Sequence, residues 1–225
     1  MGDAPTTPDP PRSGAPGHYF DVAPASRSDE QEVVLDLPDG RLHLVTDRGV
    51  FSHGRIDPGT KLLLLRSPHP PASGHLLDLG CGAGPIALAL ARRAPAATVW
   101  AVDVNERARR LCARNAERNG LANVVVAAPD EVPPEVVLDG IWSNPPIRIG
   151  KAALHELLLT WLARLGPSGT ALLVVQRNLG ADSLQAWLTA HGYPTERWAS
   201  ARGYRLLRAR RAGGSLSGGA DPLRS

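Results

Sequence analysis

One decapeptide constrains the fold of this chain more than any other stretch: Leu76-Leu77-Asp78-Leu79-Gly80-Cys81-Gly82-Ala83-Gly84-Pro85. An apolar run ends beside an acid, glycines recur at 80, 82 and 84, and a proline opens a helical segment. Glycines at a strand-to-helix turn let the backbone bend sharply and approach a ligand closely. The surrounding pattern agrees. Strand-like runs His75–Leu79, Thr98–Asp103, Asn123–Ala127, Val137–Trp142 and Thr170–Gln176 are interleaved with helical segments Pro85–Arg93, Glu106–Asn119, Lys151–Leu165 and Ser183–His191. Such interleaving implies a parallel sheet with helices on both faces.

Two further β-prone runs, Glu196–Ser200 and Tyr204–Arg210, close the pattern as a hairpin-like pair instead of another βα unit. The expected class is α/β, a Rossmann-like doubly wound, mostly parallel seven-stranded sheet with an antiparallel edge strand. An N-terminal β-hairpin extension precedes it, since Glu32–Leu37 and Arg41–Thr46 flank the turn signal Pro38-Asp39-Gly40. Lys61–Arg66 reads as a short apolar helix with Thr60 as its N-cap. Residues 1–17 and 213–225 are rich in turn-forming residues without apolar periodicity and are expected to be disordered, leaving one folded domain at 18–212. No apolar run is long enough for a membrane span, and the N-terminus lacks a basic patch followed by an apolar stretch. Two cysteines, Cys81 and Cys112, make no disulfide framework and fit a cytoplasmic setting.

The glycine spacing narrows the ligand. A dinucleotide loop reads G-x-G-x-x-G and holds a pyrophosphate on a helix N-terminus. Here it reads G-x-G-x-G with Asp78 just ahead. An acid there repels a pyrophosphate but suits a ligand carrying an ammonium and a sulfonium, so a nicotinamide-dependent dehydrogenase is disfavoured. The next strand ends in Asp103, followed by Val104; a carboxylate at that place can accept from both hydroxyls of a ribose. A lone strand-end acid is ordinarily a helix cap, and what carries weight is the combination. It resembles the signature of class I S-adenosylmethionine methyltransferases. That resemblance implies S-adenosyl-L-methionine as cofactor, with Asp78, Gly80 and Gly82 at its amino-acid end, Asp103 at the ribose, Cys81, Gly84 and Val104 as further cofactor contacts, and Asp130 as a candidate for the adenine edge.

Ser143-Asn144-Pro145-Pro146-Ile147 follows the fourth strand, where substrate would meet cofactor. An exocyclic amine or carboxamide nitrogen is a poor nucleophile because its lone pair is delocalised. Accepting its N–H bonds at the Asn144 side chain and the Pro145 carbonyl would favour a pyramidal nitrogen and aim its lone pair at a methyl donor. Two consecutive prolines stiffen the turn and are expected to leave backbone carbonyls without a competing donor. The tetrapeptide resembles the (Asp/Asn)-Pro-Pro-aromatic motif of amino-group methyltransferases, with Ile147 in place of the aromatic residue. Stacking on a target ring then falls to another side chain, with Phe51 and Trp142 as candidates.

Four stretches in order extend the resemblance: His18-Tyr19-Phe20; Gly49-Val50-Phe51-Ser52 with Arg55-Ile56-Asp57-Pro58-Gly59-Thr60; the glycine loop; and Ser143–Pro146. Over roughly residues 18–210 the chain is similar to the catalytic domain of small-subunit ribosomal RNA guanine-N2 methyltransferases. Longer members carry a degenerate domain ahead of it, a place that residues 1–17 occupy here. The resemblance implies ribosomal RNA or the small ribosomal subunit as partner, with Arg148, Lys151 and Phe51 as substrate-binding candidates. A net charge of +3 permits that partner without demanding it. Arg107, Arg110, Arg114 and Arg118 form one helical stripe that reads first as a solvated face and only second as a phosphate contact. Histidines 43, 53, 69, 75 and 155 show no ligand spacing, so no metal is expected. A protein glutamine-N5 methyltransferase and a non-catalytic cofactor-binding scaffold remain as alternatives.

Overall fold

The computed structural model describes residues 27–50 and 53–213. Phe51, the His18–Phe20 stretch, the segment 1–17 and the tail beyond Gly213 lie outside the described residues. The chain begins with a hairpin, β1 (Gln31–Leu37) and β2 (Gly40–Thr46), followed by helix α1 (Pro58–Arg66). Then come β3 (Ser73–Leu79), α2 (Pro85–Arg93), β4 (Ala96–Val102), α3 (Glu106–Arg118), β5 (Val124–Ala127) and β6 (Leu138–Ser143). The last elements are α4 (Lys151–Leu162), β7 (Leu165–Gln176), α5 (Ala181–Ala190), β8 (Thr195–Ala201) and β9 (Tyr204–Arg210).

Seven strands form one sheet in the order β5-β4-β3-β6-β7-β9-β8. The first five are parallel, and β9 runs antiparallel between β7 and β8, which places the antiparallel pairing at the expected end. Side chains alternate across the sheet. Leu76, Val99, Ala101, Trp142, Leu172 and Leu206 face the layer holding α1 and α2. Leu77, Val102, Ile141, Leu173 and Leu207 face α4 and α5. Burial on both faces explains why these strands read as apolar runs without polar alternation.

Three local expectations are corrected. Asp57, not Thr60, caps α1: its carboxylate accepts from the N–H groups of Gly59 (2.8 Å) and Thr60 (3.0 Å). Pro58, with its fixed φ and missing donor, starts that helix one turn earlier than the leucine run suggests. Helix α4 ends at Leu162 rather than Leu165, because Leu165 pairs with Leu138 and opens β7. The glycines and proline at 166–169 disguise that early part of the strand.

The hairpin is tied to the domain by α3. Asn115 is fully buried; its Oδ1 accepts from Val45 N (2.8 Å), and its Nδ2 donates to Val45 O (2.9 Å) and Ala83 O (2.8 Å). Asn119 bonds the N–H and the carbonyl of His43 in the same way. Two asparagines thus complete the free edge of β2 as a neighbouring strand would. Arg114 pairs with Glu30 and Arg118 with Glu32, both at 2.8 Å, and Arg107 lies 3.6 Å from Asp47. No helix among the described residues is long and apolar enough to cross a membrane.

Candidate active site

The carboxyl ends of β3, β4, β6 and β7 open into one cleft of about 820 Å³. Gly80, Asp103, Val104, Asn144, Pro146, Ile147 and Arg148 line it. The glycine loop and the Asn-Pro-Pro turn, 60 residues apart in sequence, therefore share a single space. Their proximity follows from β3 and β6 being paired neighbours.

The loop is built by hydrogen bonds that require its glycines. Gly80 has φ +77°, its N–H donates to Val102 O (2.8 Å), and a Cβ there would project into open space. Gly84, at φ +90°, is the N-cap of α2; a Cβ there would come within 2.6 Å of Cys112 Sγ. Gly82 N–H donates to Asp103 Oδ2 (2.9 Å), while Asp103 Oδ1 accepts from Asn105 N (2.9 Å). Each oxygen keeps acceptor capacity, and Asp103 stands at the cleft wall only 8 % exposed. Burial raises its carboxyl above the usual range, against the pull of those N–H bonds.

Asp78 lies beneath the loop, fully buried, and does not line the cleft. Its Oδ2 accepts from Ala87 N (2.9 Å), so it caps α2 from the strand below, and its Oδ1 has no partner. Burial pushes its carboxyl up to about 8, with nearby Asp103 adding to the shift. Cys81 is buried against Cys112, and that contact and burial hold its thiol far above the ordinary range.

At the other wall, Ser143 Oγ donates to Leu79 O (2.7 Å) and locks the end of β6 to that of β3. Asn144 then projects its carboxamide. Its Nδ2 donates to Asp57 Oδ1 (2.8 Å) and to Thr60 Oγ1 (3.1 Å). The expectation of carbonyls without a donor is corrected for both prolines: the Pro146 oxygen accepts from Ile149 N (3.1 Å), and the Pro145 oxygen accepts from Ile147 N (2.8 Å) across the tight turn. One lone pair remains on that oxygen.

Several candidates are placed elsewhere. Asp130 is exposed on the 3₁₀ turn Pro129–Glu131, and only Pro129 of that turn lines the cleft. Trp142 is 2 % exposed and packs in the core against Gly140. Lys151 lines a neighbouring cavity of about 210 Å³ with Ile147 and His155. Conversely, Tyr204, Gln176 and Arg55 line the cleft and were not singled out from the sequence. Tyr204 accepts from Gln176 Nε2 (3.1 Å), and its ring lies over Gly59. The signal for Gln176 and Tyr204 was present, since each ends a strand at the carboxyl edge of the sheet or its antiparallel equivalent.

These residues fit S-adenosylmethionine. The Asp78 oxygen left without a partner lies just beneath the loop, the Gly80 position is open, and Asp103 presents a pair of oxygens suited to a vicinal diol. No group of His, Cys, Asp or Glu among the described residues is arranged to hold a metal.

Comparison with known proteins bears on the same region. The methyltransferase small domain family matches residues 41–208. The uncharacterized protein YbxB of Bacillus subtilis is 37% identical over 169 residues, 74% of this chain and 84% of that protein. Ribosomal RNA small subunit methyltransferase C of Pseudomonas aeruginosa is 39% identical over 188 residues, 81% of this chain but 55% of that protein. The chain thus spans about half the length of the relatives so named. Among solved structures, the T. thermophilus 16S rRNA N2 G1207 methyltransferase, in complex with AdoMet and guanosine, matches with a TM-score of 0.68 at 25% identity. That match covers 81% of this chain and 50% of the other.

Proposed function

Since the chain belongs to the methyltransferase small domain family, we propose that it methylates the exocyclic N2 of a guanine in small-subunit ribosomal RNA. Its cofactor is S-adenosyl-L-methionine, which supplies an electrophilic methyl group on a sulfonium. The observation that carries the reading is the common cleft: Asn144 lies opposite Gly80 and Asp103 across one space large enough for a nucleoside cofactor and a base.

In this reading Asp103 takes the ribose hydroxyls, and the glycine loop lies along the amino-acid end. Asn144 Oδ1 and the remaining lone pair of the Pro145 carbonyl accept the two N–H bonds of the target amine. That arrangement turns the nitrogen lone pair toward the methyl-donor side. Ile147 supplies an apolar contact to the base, and Tyr204 the aromatic face that position 147 lacks. Arg55, Arg148 and Lys151 are exposed, and none forms an ion pair among the described residues, so we assign them to RNA phosphates. Similarity to relatives named for small-subunit ribosomal RNA methylation supports the substrate class.

The test is methyl transfer from labelled S-adenosyl-L-methionine to 30S subunits, naked ribosomal RNA and cell protein, with nucleoside analysis after nuclease digestion. The expected product is N2-methylguanosine. Label in protein would instead favour a carboxamide target, and cofactor binding with no transfer to any of the three would favour a non-catalytic protein.

A further inference from the structure

We infer that Asp57 and Thr60 are positioning residues that fix which end of the Asn144 carboxamide faces the substrate. The inference rests on the proposed methylation of an amine. A side-chain amide has two ends of nearly equal size, and rotation exchanges them. One end accepts hydrogen bonds and the other only donates. A target amine brings donors, so Asn144 is productive in one orientation and blocking in the other.

Asp57 selects the productive orientation, and Thr60 adds a second acceptor for the same nitrogen. The Asp57 carboxylate can only accept, and it takes an N–H of Asn144 Nδ2 at 2.8 Å. Thr60 Oγ1 lies 3.1 Å from the same nitrogen. Reversal would set the amide oxygen against a carboxylate oxygen. Asp57 is held in turn, because its Oδ1 also accepts from Gly59 N and Thr60 N in the first turn of α1. Thr60 is 4 % exposed, in the first turn of the same helix. Both N–H bonds of Nδ2 are therefore engaged, and Oδ1 is left as the acceptor at the cleft. The start of α1 thus sets the rotamer of a side chain on β6's end, more than 80 residues later.

Two variant pairs separate positioning from folding. Thr60→Val removes the hydroxyl at constant size, and Thr60→Ser restores it. Asp57→Ser keeps a helix cap but is too short to reach Asn144, while Asp57→Asn keeps the accepting oxygen. Thr60→Val should lower kcat ~10-fold and Asp57→Ser ~100-fold, with KM for RNA and cofactor affinity unchanged. The Ser and Asn variants should recover most of the rate. In an Asn144→Ala background neither damaging substitution should cost anything more. Losses that multiply in that background would overturn the inference.

An independent readout uses the ligand-free full chain. The Asn144 side-chain NH2 resonance, assigned by its absence in Asn144→Ala, should exchange slowly with water and lose that protection in Thr60→Val. Fast exchange in the unsubstituted protein would overturn the inference. Should that protein methylate no RNA, the functional reading falls, and the exchange measurement alone decides the orientation.

Discussion

Helix α3 carries four arginines along one face, and the rim shared by the cleft and the cavity beside it carries Arg55, Arg148 and Lys151; in the sequence the two sets look alike. In the structure they differ in their partners. Arg110 pairs with Glu106 on its own helix, Arg114 and Arg118 pair with Glu30 and Glu32 ahead of and within the hairpin, and Arg107 lies near Asp47. The rim cations have no carboxylate partner among the described residues. A paired arginine already has its charge compensated, so neutralising a phosphate there would first require breaking the pair. Arg114 and Arg118 therefore fasten α3 to the hairpin and the residue ahead of it, and the rim is the surface with charge to spare. Arginine count alone would have pointed to the α3 face.

The sharpest contrast concerns what each region does when cut. Asn144→Ala at the cleft should lower methyl transfer ~10³-fold while leaving the denaturation midpoint nearly unchanged, because the proposed function makes its Oδ1 the acceptor of the target amine. Asn115→Ala under α3 should do the reverse. It strips three hydrogen bonds from a buried position and should cost about 2–4 kcal/mol in chemical denaturation, with activity of the folded fraction retained.

Charge removal should divide the regions more gently. Arg148→Ala with Lys151→Ala should weaken RNA binding ~10-fold and reduce the salt slope by about 1–2. Arg110→Ala with Arg114→Ala should leave RNA affinity within ~2-fold and cost less than ~1 kcal/mol, as exposed pairs do. Filter binding across a salt series checks both, and a larger RNA defect from the α3 pair would reverse the assignment.

Beneath the cleft the comparison turns on pH. Asp78 has a folded value of about 8 against 3.8 for the free group, so its contribution to stability is present below 3.8 and is lost as pH rises toward 8. Asp78→Asn keeps an acceptor for Ala87 N and should flatten that decline. Denaturation midpoints at several pH values would reveal it, and an unchanged slope would mean that Asp78 is ionised in the fold.

Much of this was legible in the sequence. Strand and helix alternation implied the sheet, and the residue types at strand ends singled out Asp103 and Asn144, which line one cleft. What stayed hidden was mostly tertiary. Thr60 looked like a cap because a leucine run follows it, yet Pro58 lets the helix begin earlier and Asp57 takes the capping role. Trp142 could not be told from a stacking residue, since a buried strand and a cleft wall both favour a large aromatic. Asp78 read as a ligand contact, and its local bond is to Ala87 N under the loop; depth below a surface leaves no trace in spacing. Asn115 and Asn119 sit at helical spacing on α3, but only the docked hairpin shows what they complete.

Calorimetric titration of S-adenosyl-L-methionine into Asp103→Ala and Asn144→Ala tests most directly whether the cleft divides cofactor holding from amine presentation. Asp103→Ala should lose at least ~10-fold in affinity, the scale of a charge-assisted hydrogen bond, and Asn144→Ala should stay within ~2-fold of the unsubstituted protein. Equal losses in both variants, or an unaffected Asp103→Ala, would contradict that division.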